Sequence, residues 1–237
     1  MTKATATELI VTIDGPSAAG KSSAGKLLAR HLGYVYVESG AFYRALGWKV
    51  RTQGTDPSDH AALKSLCESS VIEVRRPVSD NVVQEARIVI DDRDVTDELR
   101  TPEMSTMAAK ISAVPQVREP MLKLQRAMAK GGGVVMEGRD IGTVVFPHAD
   151  VKFYLDADVK VRGERRYREL LAKGLMVDLQ ATIDEIVARD RKDMTRTVAP
   201  LRKAEDAIAI DSTGLTLEEV VARMVGAVER RRAASRR

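Results

Sequence analysis

Short apolar, β-branched runs recur along the chain, and most are followed by a stretch in which apolar residues return every three or four positions. The runs are Ile10-Val-Thr-Ile13, Tyr34-Val-Tyr-Val37, Val134-Val-Met136, Val151-Lys-Phe-Tyr-Leu155 and Ala207-Ile-Ala-Ile210. Their length and lack of polar alternation predict buried strands. Ala24, Leu27, Leu28 and Leu32 follow the first run at helical spacing, and Leu46, Trp48 and Val50 follow the second. Thr216-Leu-Glu-Glu219 is a capping box that opens the last helix. Strands that alternate with helices predict an α/β fold with a doubly wound parallel sheet of these five strands.

One section breaks that rhythm. Between Val71 and Val95 the apolar residues alternate at period two in Val71-Ile-Glu-Val-Arg75, Asn81-Val-Val83 and Ala86-Arg-Ile-Val-Ile90, with turn formers at Pro77 to Asn81 and Asp91 to Asp94. A small antiparallel β unit inserted into the α/β body is predicted. Pro102 and Pro115 then each begin a helix, the first bearing Met104, Met107, Ala108 and Ile111, the second Val117, Met121, Leu122, Leu124, Gln125 and Met128. Methionines at this spacing read as core packing, and Arg118, which interrupts no apolar face, reads as a surface charge. Asp156-Ala-Asp158 starts a helix that ends near Lys173-Gly174, and a further helix runs from roughly Leu179 to Lys192.

Bulk properties narrow the class without choosing a chemistry. A chain of 237 residues suits one α/β domain with an insertion. The single cysteine, Cys67, has no intramolecular partner, and no apolar run approaches the roughly 20 residues of a membrane span. A soluble, cytoplasmic protein without a membrane partner is expected. The net charge of +4 falls to −1 when Arg230, Arg231, Arg232, Arg236 and Arg237 are set aside. A near-neutral body with a frayed basic tail does not point to nucleic acid.

Chemistry enters where the first strand runs into Gly15-Pro-Ser-Ala-Ala-Gly20-Lys21-Ser22-Ser23, a G-x-x-x-x-G-K-S phosphate loop followed by a helix. Gly15, Pro16, Ser17, Ala18, Ala19, Gly20, Ser22 and Ser23 would surround the phosphates of ATP, all but Pro16 offering a backbone N–H, Lys21 would reach the β- and γ-phosphates, and the Ser22 hydroxyl would ligate Mg²⁺. A second polar block, Glu137-Gly-Arg139-Asp140-Ile-Gly-Thr143, stands at the carboxyl end of a predicted parallel strand, the ligand edge of such a sheet. Ser39 and Arg44 fall at the same edge after the second strand. Arg162, Arg165, Arg166 and Arg168 share one helix, where they repel one another unless an anion or the nearby Glu164 and Glu169 intervene. They suit either a solvated helix or a lid that lays arginines over transferring phosphates. Arg189, Asp193 and Arg196 are spaced to share a helical face if the helix continues.

The chain has no N-K-x-D tetrapeptide for reading guanine, and none of His31, His60 and His148 lies at the predicted ligand edge. Arginine wealth without a general base fits an acceptor that is itself a phosphate, because a monoester is already close to a dianion at pH 7 and needs its charge screened. The inventory favours phosphoryl transfer to a nucleoside monophosphate over transfer to a hydroxyl. The alternatives are a kinase for another small acceptor, such as UMP or shikimate, and a nucleotide-dependent binding protein without a phosphorylated product, which acceptor-dependent ADP formation distinguishes.

From about Leu9 to Val228 these blocks, with Glu38-Ser-Gly-Ala-Phe-Tyr-Arg44, Arg189-Asp-Arg-Lys-Asp193, Pro200-Leu201 and Asp206-Ala-Ile-Ala-Ile-Asp211, resemble bacterial cytidylate kinases. The resemblance implies a monomeric enzyme that uses ATP and Mg²⁺ to phosphorylate CMP and dCMP. Ser39, Arg44 and Arg139 would hold the CMP phosphate, Arg118, Asp140 and Arg196 would read cytosine, and Arg189 and Asp193 would hold the sugar. Lys21, Arg139, Arg162 and Arg166 would be the catalytic cations, the last two on the lid. The implied organisation is a single P-loop kinase domain at 8–228, a monophosphate-binding region at about 60–130 carrying the small sheet at 71–95, a lid at about 158–196, and a basic tail at 229–237. The family usually has Asp where Glu38 and Glu137 stand, and Ser where Ala109 stands, so one base contact of the family is missing.

Overall fold

A computed structural model describes residues 8–75 and 87–235. The predicted second run of the small sheet, Asn81-Val-Val83, lies outside the described residues. The elements are β1 (Ile10–Asp14), α1 (Lys21–Leu32), β2 (Val35–Glu38), α2 (Ser39–Thr52), α3 (His60–Glu68), β3 (Ile72–Arg75), β4 (Arg87–Ile90), β5 (Arg93–Asp94), α4 (Pro102–Ile111), α5 (Pro115–Met128) and β6 (Val134–Gly138). After a π-helical turn over Ile141–Val145 come β7 (Val151–Asp156), α6 (Val159–Ala172), α7 (Leu179–Thr195), β8 (Ile208–Asp211) and α8 (Leu217–Ala234). They form two compact units, one of Val37–Lys130, the other of the described residues before and after it.

All five predicted strands join one sheet in the order β2-β6-β1-β7-β8. β1 runs parallel to β6 and β7 on either side, and β8 runs parallel to β7. The sheet is central at β1, so the residue that ends β1 is held on both sides. One face buries Val11, Ile13, Val151, Phe153 and Leu155 under Leu28 of α1 and Val220, Met224 and Val228 of α8. Strand alternation turns Thr12, Asp14 and Lys152 to the opposite face, where they too are buried. The capping box forms as predicted, with the Glu219 N–H donating to Thr216 Oγ1 at 3.2 Å and the Thr216 N–H to Glu219 Oε2 at 2.8 Å.

In the second unit β3, β4 and β5 form an antiparallel sheet. Its third strand arises inside the predicted turn. Asp91 and Asp92 take φ of 49° and 62°, a two-residue reversal with both central residues left-handed, and this sets Arg93 opposite Ile90. Met104 and Met121 are core residues, as predicted. Arg118 is not a surface charge: it is 4% exposed, on a buried face of α5 with Val117, Met121 and Gln125.

Two boundaries differ from the sequence reading. α7 runs three residues past Lys192, to Thr195, and Arg196 leaves it in an extended conformation, so Arg196 does not share the helical face of Arg189 and Asp193. The basic tail is not frayed at its start, because α8 continues to Ala234. The Arg232 guanidinium stacks 5.1 Å from the Tyr34 ring and Arg231 lies 3.9 Å from Asp150, contacts that no local pattern announces.

Candidate active site

The phosphate loop owes its shape to backbone that side chains rarely allow. Gly15 has φ 149°, and a Cβ there would lie 2.0 Å from the Leu155 carbonyl oxygen, so the loop crosses β7 where only glycine fits. Ala18 is left-handed at φ 58° and Gly20 at φ 92°, and successive N–H groups turn inward ahead of α1. Lys21 is buried, and its Nζ donates to the Pro16 carbonyl at 2.5 Å. Burial, then the nearby Arg139 guanidinium, lowers its pKa to about 7. An anion placed in the loop would favour the charged lysine and oppose both effects.

Ser17 is gripped from both sides of its peptide. Asp190 Oδ1 accepts its N–H at 2.8 Å, and Arg162 Nη1 donates to its carbonyl at 2.9 Å. Arg162 and Asp190 also form an ion pair with each other, and Arg162 Nε donates to the Ala157 carbonyl at 2.9 Å. Both side chains are buried. Arg162 in this conformation is therefore neither a solvated charge nor a free lid cation; it braces the phosphate loop. The other three arginines of α6 diverge from it. Arg165 donates to the Ser212 hydroxyl at 2.9 Å and carbonyl at 2.7 Å, while Arg166 and Arg168 pair at the surface with Glu169 and Glu164. Beside Arg165, a mostly apolar cavity of about 230 Å³ is lined by Gly20, Ser23, Leu155, Leu215, Leu217 and Val220.

The G-R-D-I-G-T block brings a second set to the loop. Arg139 Nη2 donates to the Ser17 hydroxyl at 3.0 Å, and its Nε to Asp193 Oδ2 at 2.8 Å. The next residue, Asp140, lies 3.7 Å from Arg196, whose Nε donates to the Ala199 carbonyl at 2.7 Å. Asp140 stands at the N-cap of the π turn but makes no side-chain capping bond, so capping does not account for it. Glu137, at the end of β6, accepts from the Ser22 and Tyr36 hydroxyls, both at 2.6 Å. Thr143 is buried at its hydroxyl, which has no hydrogen-bond partner among the described residues. Arg189 is exposed on α7.

In the other unit Ser39 is buried as the first residue of α2. Arg44 folds back over that helix start, its Nη1 lying 3.1 Å from where a Cβ on Gly40 would stand and 2.9 Å from Glu38 Oε1. A helix N-terminus with an arginine laid over it suits a phosphate. Arg118 donates to the Ser112 carbonyl at 3.3 Å, and Ala109 is exposed on α4.

Sequence reasoning missed Asp14, Asp190 and Ser212, and it grouped Arg165 with the other arginines of α6 without singling it out. Asp190 sits inside the quoted Arg189-Asp-Arg-Lys-Asp193 block, and Asp14 is an acid closing an apolar strand, a pairing that signals a buried task. Asp14 is 4% exposed, and burial raises its pKa to about 6. The pairing of Arg165 with Ser212 carried no signal, since only folding brings α6 to the end of β8.

A left-handed phosphate loop with a buried lysine, at the carboxyl end of the central strand of a five-stranded sheet, defines a P-loop nucleotide-binding protein of the kinase type. The fold has a counterpart in the crystal structure of an uncharacterized protein from Eubacterium ventriosum, with a TM-score of 0.51 over 94% of this chain and 98% of that one at 13% identity. The family model for cytidylate kinase matches residues 11–230. A cytidylate kinase of Geobacter sulfurreducens is 49% identical over 96% of this chain and 95% of its own length. One of Geobacillus thermodenitrificans is 45% identical over 94% and 97%. The chain belongs to the cytidylate kinase family.

Proposed function

We propose that the protein transfers the γ-phosphoryl group of ATP to CMP and dCMP, giving ADP and CDP or dCDP, as a cytoplasmic monomer. The observation that carries this is the adjacency of Arg139 and Asp140: one touches the phosphate loop through Ser17, while the other faces Arg196. One backbone step thus links a phosphate contact to a donor–acceptor pair suited to a base.

ATP lies with its phosphates in the loop over Gly15–Ser23 and its adenine in the apolar cavity beside Arg165. Lys21 neutralises the β- and γ-phosphates. Ser22 and Glu137 offer two hard oxygens 2.6 Å apart, a donor set that fits Mg²⁺. When bound, Mg²⁺ screens the phosphate oxygens during transfer. The CMP phosphate is held by Ser39, Arg44 and Arg139, and as a near-dianion it attacks without a general base. Arg139 spans donor and acceptor and stabilises charge on the group in flight. Arg162 holds Ser17 in place, and Arg166 on α6 supplies a lid cation. Arg189 and Asp193 hold the sugar.

Arg118, Asp140 and Arg196 read the base. Cytosine offers an amino donor at N4 beside an acceptor at N3, which meet the Asp140 carboxylate and the Arg196 guanidinium. Uracil presents a carbonyl and an N–H there and meets lone pair with lone pair. The test is ADP formation from ATP with CMP, dCMP, UMP, AMP, GMP and shikimate. CMP and dCMP are expected to give the highest kcat/KM, and equal rates with shikimate or no acceptor-dependent ADP would overturn the assignment.

A further inference from the structure

The first N–H groups of a helical turn have no partner within the turn and need one from outside. In the π turn over Ile141–Val145 the residue at the cap position, Asp140, does not supply it. The partner comes from the far end of the sequence. Asp14 accepts the Ile141 N–H on Oδ1 at 2.8 Å and the Gly142 N–H on Oδ2 at 2.7 Å, across 127 and 128 residues of chain. The approach leaves little room for a side chain at Gly142. A Cβ on Gly142 would stand 3.0 Å from Thr12 Oγ1 and 3.3 Å from Asp14 Oδ2.

Two features make this more than a local stitch. Asp14 ends the central strand and is followed directly by Gly15 of the phosphate loop, so it is anchored by β6 and β7 on either side. The turn it caps begins directly after Arg139 and Asp140. The Asp140 side chain is spared the capping task and faces Arg196 instead.

We infer that Asp14 is a positioning residue for the acceptor nucleotide, one that caps the π turn from β1 and so sets Arg139 and Asp140 at a fixed distance from the phosphate loop. This rests on the reading of Arg139 and Asp140 as CMP contacts. A carboxylate is needed because both oxygens must accept; an amide at this position offers one acceptor and turns a donor toward the second N–H. Burying the charge opposes ionisation, as does Asp140 nearby, while the two N–H groups and Lys21 favour it.

The test compares wild type, Asp14→Asn and Gly142→Ala, the second variant crowding the Asp14 carboxylate without changing charge. Amide hydrogen exchange across 138–145 reports the cap itself, and steady-state kinetics report its use. Loss of the cap is expected to speed exchange at Ile141 and Gly142 and to raise KM for CMP by roughly 10²-fold, the scale of an ångström-sized misplacement, with KM for ATP within about twofold. A merely structural role would move both KM values together, and that result would overturn the inference. So would unchanged exchange and unchanged KM for CMP in both variants. Should Asp14→Asn fail to fold, Gly142→Ala decides by the same split. Asp140→Asn is measured in parallel. If it lowers CMP and UMP equally while the Asp14→Asn split persists, the base-reading assignment fails and the positioning role stands through Arg139.

Discussion

The Arg162–Asp190 pair offers a test whose size follows from burial. Arg162 is 8% and Asp190 5% exposed, and each also grips the Ser17 peptide. Asp190→Asn keeps the shape and one acceptor for the Ser17 N–H, but it leaves a buried guanidinium with only the half-exposed Asp156, 3.9 Å from its Nε, as counter-charge. Removing one partner of a buried pair costs about 3–5 kcal/mol. Arg162 keeps the Ala157 and Ser17 carbonyls as acceptors, which places the cost at the lower end, about 3 kcal/mol. For a chain of this length each kcal/mol moves Tm by about 2–4 °C, so a fall of about 6–12 °C is expected. The same change loosens Ser17 and is expected to raise KM for ATP by roughly tenfold, the weight of one lost positioning bond. Thermal denaturation at pH 7 and steady-state kinetics at saturating CMP measure the two effects. The sign of the pairing is checked by Asp190→Asn combined with Arg162→Met, which removes the stranded charge and is expected to be more stable than Asp190→Asn alone. A Tm within about 1 °C of wild type, or a double variant less stable than the single, would refute the reasoning.

Lys21→Ala is expected to leave Tm nearly unchanged and to lower kcat by about 10²–10³, since a cation aimed at the transferring phosphate is removed; near-normal turnover would sink the donor-site assignment. Asp140→Asn is expected to narrow the ratio of kcat/KM for CMP over UMP, because an amide can turn to donate to the uracil carbonyl, whereas Arg44→Ala is expected to lower both substrates alike. For Asp14 the folded pKa of about 6 lies above the ordinary carboxyl value of 3.8, so its contribution favours the native state below about pH 4 and is lost as pH rises through 6. The stability of wild type relative to Asp14→Asn should therefore fall by about 3 kcal/mol between pH 4 and pH 7, measured by urea denaturation; a constant difference would show that burial does not govern this carboxyl. Deleting residues 230–237 is expected to leave kcat/KM unchanged and to lower Tm by only a few degrees through loss of the Arg232–Tyr34 stack; a large fall in activity at preserved Tm would reveal a function for the basic end.

Much of the molecule was determined by the sequence alone, because the forces involved act within a few residues. Five apolar runs of strand length, a phosphate loop between one of them and a helix, and a capping box at Thr216 are local devices, and each forms where its pattern stands. The resemblance to a family reached further, drawing Arg139, Asp140 and Arg196 into one site from blocks of residues far apart in the chain.

Tertiary structure decided the rest, and the reason is that charge and burial depend on what packs opposite. Four arginines on α6 look alike in sequence, yet one braces the phosphate loop, one borders the cavity beside it and two pair at the surface. Arg118 seemed to break no apolar face because the face that buries it is shared with Gln125 as well as with apolar residues. Arg230 to Arg232 looked like a frayed end, but α8 continues through them because Tyr34 and Asp150, distant in sequence, lie where Arg232 and Arg231 reach. Asp14 is the extreme case. Its two hydrogen-bond partners lie more than a hundred residues away, so no local pattern specifies the cap, and only the parallel pairing of β1 with β6 brings the carboxylate to the turn that needs it.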